Sequence, residues 1–210
     1  MSDDRRTRAA SRLRELNHEF IARDLSEDDL DVVAQRAQEL LTMASRAPRR
    51  RRIPEDAMAA EFRMATLEEG QSEQYLSYSV ITGTSSPMSL GARFWREGDQ
   101  IVMEATFGPA HEGAPGMGHG GVLAALIDEA MGLAVAMQRV LAFTVQLDVA
   151  YRAPVPLNRP VTVRAWLEHH EGRKFTVRAV VRADELLLSE ATGLFVSVDA
   201  ATFVERLNGD

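Results

Sequence analysis

Gly118, His119, Gly120 and Gly121 stand directly before an apolar run, and one acid, Asp128, lies inside that run nine residues after His119. If the run is a helix, its first backbone N–H groups have no partner within it and carry the positive end of its dipole. Glycines there let a substrate oxygen come close to the backbone. Such donors suit the negative charge that develops on an acyl carbonyl under attack. Asp128 follows Gly120 by eight residues, roughly 12 Å along a helix axis at 1.5 Å per residue. Within a single chain, one carbonyl is then out of easy reach of both. Two helices running antiparallel in a dimer would bring Gly120 of one chain to Asp128 of the other. Taken alone, an acid in an apolar helix is most simply a partner in an ion pair or a cap. Its neighbour Glu129 faces elsewhere on the helix and is expected at the rim.

The elements that must position these groups follow from the hydrophobic period. "GVLAALIDEAMGLAVAMQRV" is apolar nearly all round, so a helix over about 120–138 is expected, buried and wrapped on most sides. Before it, from about residue 73, the period shortens to two, and "ARFWREGDQIVMEATFG" reads as two strands turning at Gly98-Asp99. Four runs come after it. Val145, Leu147, Val149 and Tyr151 are expected on one face of the first, and Val161, Val163, Ala165 and Leu167 on one face of the second. Phe175, Val177, Ala179 and Val181 share a face of the third, and "LLLSEATGLFVSVDA" is the fourth. Gly172 and Asp184-Glu185 are the turns. Strands, one long helix, then a meander predict a two-layer α+β fold: a curved antiparallel sheet around one central helix.

Residues 1–54 read differently. Ala9, Leu13, Leu16 and Phe20 have helical spacing. A second helix follows Ser26, its N-cap, with Asp29 at the third helical position and a stripe of Leu30, Val33, Ala37, Leu40 and Leu41. "RAPRRRRIPED", 46–56, breaks the pattern as a linker. The chain divides into a helical extension with an Arg-rich linker over 1–54 and a main domain over 55–210.

The motifs together resemble the hotdog-fold acyl-CoA thioesterases, in particular the PaaI-like group and the mammalian mitochondrial thioesterase superfamily members. They are "GAPGMGHGG" with an acid nine residues after the histidine, "TVQLDVAYRAPVPL", and "EGRKFTVRAVV" followed by "LLLSEATGLFVS", within about 85–200. The resemblance implies a hotdog domain that hydrolyses an acyl-CoA. It implies that the Gly120 amide donates to the thioester carbonyl and that Asp128 is general base or nucleophile. Thr144, seven residues before Tyr151, would help to orient the water, and His119 would shape the loop and contact substrate. Gly121 and Gly113 would border the substrate. Some relatives carry an Asn six residues before the histidine; here that position is Gly113, so the role is vacant or falls to His111 or Glu112. The implied assembly is a homodimer with shared active sites, or a pair of such dimers, and no cofactor is implied.

A CoA ester brings phosphates, for which Arg152, Arg159, Arg173 and Lys174 are candidates, each with surface solvation as the plain alternative. Lys174 is the only lysine in the chain. Tyr151 and Trp166 are expected in the core or an interface. Met131, Val135 and Met137 would line the acyl tunnel, and methionine tolerates too many shapes for a chain length to be read from it.

Composition narrows the classes. With no cysteine there is no disulfide, thiolate nucleophile or Cys-based metal site. His169-His170 looks like a metal pair, but neighbours on a strand face opposite sides, so no metal is expected. Asp128 and Glu129 interrupt the longest apolar run, so no membrane span is expected. The Arg-rich start lacks an apolar signal core, and a cytoplasmic protein is the default expectation. Net charge is −7, and residues 55–210 hold 12 basic against 21 acidic side chains, a poor balance for nucleic acid. Two rivals share the fold. One is an acyl-CoA-binding sensor without catalysis, with 1–46 and "RRRR" as a DNA-binding arm; the other is a hydratase or dehydratase. A sensor needs no base, so Asp128 favours the enzyme, and the motifs of the dehydratases are absent.

Overall fold

The computed structural model describes residues 2–50, 64, 66–72 and 75–199. Two helices open the chain, α1 (Ser2–Ala22) and α2 (Glu27–Ser45). Ser26 caps α2: its Oγ accepts the Asp29 N–H at 3.2 Å, and Glu27, Asp28 and Asp29 occupy the positive first turn. α2 buries none of its residues. α1 instead lies on the body of the chain. Ala10 is buried, Arg14 donates to the carbonyls of Thr84 and Ser86, and His18 Nδ1 accepts the Ala110 N–H. The expected boundary at 54/55 lies outside the described residues.

The body contains strands β1 (Arg93–Glu97), β2 (Gln100–Thr106) and β3 (Met117–Gly118), then helix α3 (Gly120–Ala136). Strands β4 (Ala142–Tyr151), β5 (Val155–Pro156), β6 (Pro160–Glu171), β7 (Lys174–Ala183) and β8 (Leu186–Ser197) complete it. Six strands form one antiparallel sheet in the order β1-β2-β6-β7-β8-β4, and β3 pairs with β5. α3 packs on β2, β4, β6, β7 and β8. Leu123, Leu126, Ile127, Met131 and Leu133 are sealed in that contact, each side chain worth about 1.5–3 kcal/mol on burial. The inward rows of β6 and β7 are those expected from their alternation. Among the described residues, no helix is long and apolar enough to cross a membrane.

Three expectations need correction. α3 ends at Ala136, two residues early, and Arg139 with φ 61° turns the chain away. The two-residue period does not begin near 73: residues 75–92 form turns, and among the described residues no strand precedes Arg93. Their hydroxyls bond the loop's own backbone instead, as serine and threonine do in place of a ladder.

The third correction positions the site. In β4, Thr144 lies opposite Phe195 and Gln146 opposite Leu194, so Val145 is an extra, unpaired residue. Thr144 and Tyr151 are seven apart and would face opposite sides of a regular strand. The bulge at Val145 shifts the parity by one. Thr144 thereby joins Leu147, Val149 and Tyr151 on the face toward α3, and Val145 leaves it, 58% exposed.

Candidate active site

The start of α3 is built by His119. It is extended (φ −69°, ψ 128°), and its Nδ1 accepts the Gly121 N–H at 2.9 Å. Its own N–H donates to the His111 carbonyl at 2.8 Å. The cap thus occupies the Gly121 amide. The Gly120 N–H, at the first helical position, has no hydrogen-bond partner among the described residues. Tyr151 donates its hydroxyl to the Gly120 carbonyl at 3.0 Å, which ties the helix start to the end of β4. Gly120 opens on a groove of ≈570 Å³ with Gly113, His119, Tyr151, Arg152 and Val155 on its walls. A free amide at a helix start, beside a groove, can polarise a carbonyl oxygen.

The acid belongs to a second cavity, ≈180 Å³, bordered by Asp128, Glu129, Leu133, Phe143, Thr144 and Phe195. Thr144 Oγ1 donates to Asp128 Oδ1 at 2.8 Å. That bond fixes one carboxylate oxygen and leaves the other for water. The structure therefore brings Asp128 to Thr144, and His119 and Gly120 to Tyr151, but the two sets line different cavities, as the rise along α3 requires.

The other expected residues fall as follows. A Cβ on Gly113 would lie 2.9 Å from His119 Cα, so a side chain has no room there without moving the cap. Neither suggested substitute is available. His111 Nδ1 accepts the Gly108 N–H at 3.2 Å and its ring meets His18 edge-on at 4.8 Å, while Glu112 accepts the Gly116 N–H. Arg152 stands beside Gly120 but is paired with Glu190 at 3.0 Å. Arg159 pairs with Asp184, and Arg173 donates twice to the Ser197 carbonyl at 2.9 and 2.7 Å. Lys174 opens β7 opposite Val196, which lies opposite Phe143, so it sits at the Thr144 end of the sheet. His170 stacks on Phe175 at 4.1 Å and bonds the Gly172 carbonyl.

Two residues play parts the sequence did not suggest. Tyr151, expected in core or interface, is 53% exposed and braces Gly120. Glu129, expected at the rim, lies under the hydroxyls of Ser79 and Thr82, and burial pushes its carboxyl above the usual range. Its partners come from the stretch expected to alternate as strand, so no sequence spacing pointed to them.

His111 connects this region to α1. Burial pulls its pKa down to about 4, and His18 alongside disfavours a second proton; burial also lowers His18, against the pull of Glu19. Above the ordinary value of 6.5, docked and undocked rings are both neutral and docking is at full strength. As pH falls toward 4, the undocked ring takes a proton that the docked ring refuses, so docking weakens. Discounted for partial exposure, the loss is about 1–2 kcal/mol. Thermal melts should show the wild type losing that much more stability over this range than His111→Gln. Parallel profiles would mean that His111 does not carry the dependence.

Residues 116–190 match the sequence model of the thioesterase superfamily. Acyl-coenzyme A thioesterase THEM4 of Bos taurus is 38% identical over 94 residues, 44% of this chain and 38% of that protein. THEM4 of Mus musculus is 33% identical over 111 residues, 51% of this chain and 48% of that protein. The chain thus covers less than half the length of these curated relatives. The crystal structure of a thioesterase superfamily protein aligns with a TM-score of 0.76 at 24% identity, over 91% of this chain and 90% of its own. That likeness is one of fold. It is the hotdog fold, and a 91% span takes in most of the N-terminal helices as well.

Proposed function

We propose that this chain is an acyl-CoA thioesterase that acts as a homodimer with two shared sites. The observation that carries the reading is the Asp128–Thr144 pair at 2.8 Å on a cavity, together with an unpaired Gly120 N–H at the start of the same helix. β4 is one of the two edge strands of the sheet, and Phe143, Val145 and Tyr151 on it are exposed. An uncovered apolar edge of this kind invites a second strand. Pairing β4 with its copy would set two α3 helices antiparallel, Gly120 of one chain toward Asp128 of the other.

In that arrangement the thioester carbonyl accepts the Gly120 N–H. Asp128 takes a proton from a water that Thr144 helps to hold, and the water oxygen bonds to the carbonyl carbon. The tetrahedral oxyanion stays at the helix start, and collapse breaks the C–S bond and releases CoA thiolate. The alternative route has Asp128 attack first, giving a mixed anhydride that water then opens. The same pairing would bring Arg173 and Lys174 of one chain toward the groove of the other, beside Arg152, where the CoA phosphates would lie. α1 serves as a brace for the loop that leads into His119.

Steady-state CoA release from short, long and aryl thioesters tests the activity, and turnover of some panel members is expected. Tight ester binding without turnover would replace the enzyme by a sensor. Thr144→Val keeps the side chain's shape and removes its hydroxyl. It should lower kcat about tenfold, near 1.4 kcal/mol, with little change in thermal stability. An unchanged kcat would remove Thr144 from the site.

A further inference from the structure

Glu129 follows the acid of the site and borders the same cavity, yet its carboxylate is bonded to a loop. Ser79 Oγ donates to it at 2.7 Å and Thr82 Oγ1 donates as well, while the Thr82 N–H donates to Ser79 Oγ at 3.2 Å. Ser79 Oγ also accepts the Ile81 N–H at 2.9 Å, so one carboxylate organises a turn of four residues. That turn is closed tightly: a Cβ on Gly83 would collide with the backbone of Ser79. The rest of the loop hangs from it. Leu90 and Ala92 donate N–H groups to the Val80 and Ile81 carbonyls at 2.9 Å, and Ser89 Oγ donates to Ile81 at 3.1 Å. α1 holds the outer side through Arg14 on the Ser86 carbonyl at 2.6 Å.

On its inner side Glu129 meets the ≈180 Å³ cavity, together with Tyr75, Leu133, Phe143 and Phe195. A cavity near 150 Å³ holds one benzene, so this one has room for a group of about that size and not for a long alkyl chain. Enlarging it past Glu129 would require the 79–92 loop to move.

We propose that Glu129 is a positioning residue that fixes the closed end of the acyl cavity and so limits the acyl group to a single ring or a short chain. This rests on the thioesterase reading. Removing the carboxylate strands the Ser79 and Thr82 hydroxyls, which have no other acceptor among the described residues, and the loop opens.

Two readouts on the full chain test it: hydrogen exchange of the 79–92 amides, and the ratio of kcat/KM for a long-chain over a short-chain or benzoyl thioester. Glu129→Ala should speed exchange at Ile81, Thr82, Leu90 and Ala92 and raise that ratio tenfold or more, through KM rather than kcat. Glu129→Gln, which keeps one accepting oxygen, should fall between. Thr82→Val, a milder change, should move both readouts the same way and serves if Glu129→Ala does not fold. Faster exchange with an unmoved ratio would reduce Glu129 to a structural tie. A moved ratio with unmoved exchange would overturn the clasp. If no thioester is turned over by the wild type, the thioesterase reading fails separately. The clasp is then judged by exchange and by whether Glu129→Ala gains binding of the long-chain ester.

Discussion

Asp128→Asn is expected to lower kcat for CoA release by roughly 10²–10⁴ while the protein stays folded. The replacement is close to isosteric. Its side-chain oxygen still accepts the hydroxyl of Thr144, which now holds Asp128 Oδ1 at 2.8 Å, so the local geometry survives. What disappears is the oxygen that takes a proton or attacks carbon. Asp128 is only partly buried and forms no salt bridge among the described residues, so its neutral amide should change stability by little. Parallel thermal melts and CoA-release rates check both halves. A fall of less than tenfold would remove Asp128 as base and as nucleophile. A single turnover in oxygen-labelled water then separates the two routes, because only the anhydride route can leave label in the Asp128 carboxylate.

The start of α3 and the place of Asp128 along it were legible because they depend on short-range facts. A His-Gly-Gly before an apolar run fixes a helix start, and helical rise alone places Asp128 too far from Gly120 for one carbonyl. The alternation of β6 and β7 was equally plain, since both strands pack one face on α3. β4 was not. The register of Thr144 depends on one unpaired residue, and nothing in "FTVQLDVAY" marks Val145 as that residue. A regular strand would have turned either Thr144 or Tyr151 away from α3.

The loop over 75–92 was misread for a related reason. Its serines and threonines suit a strand as well as a turn, and the choice falls to the Glu129 carboxylate fifty residues on. Glu129 in turn looked like a rim residue because its partners are distant in sequence. The two ends of this contact are each ambiguous alone and consistent together, as expected where a long-range polar contact overrides local pattern. His111 follows the same logic. Considered as a substitute near the carbonyl, it is claimed by His18 of α1, from a helix outside the motif.

Gly120→Pro is expected to cost about 10²–10³ in kcat, with the fold retained, because proline removes one atom that matters and little else. Position 120 is the first residue of α3, where a proline's missing N–H breaks no helical bond. His119, with φ −69° and ψ 128°, already has the extended backbone that a following proline demands. A Cβ at 120 meets the Tyr151 ring at 3.4 Å, which is ordinary contact. The lost N–H is the one with no partner among the described residues, so stability should barely change while a carbonyl donor vanishes. This variant also tests the shared site. If Gly120 and Asp128 of different chains form each site, co-expressed Gly120→Pro and Asp128→Asn chains pair into hybrids in which one site has lost both groups and the other has kept both. Random pairing makes half of the dimers hybrid, each with one of two sites intact, so about a quarter of wild-type activity should return. Two chains that are each inactive alone and remain inactive together would mean that every chain holds its own complete site, and that the separation of Gly120 from Asp128 is closed by some movement within one chain.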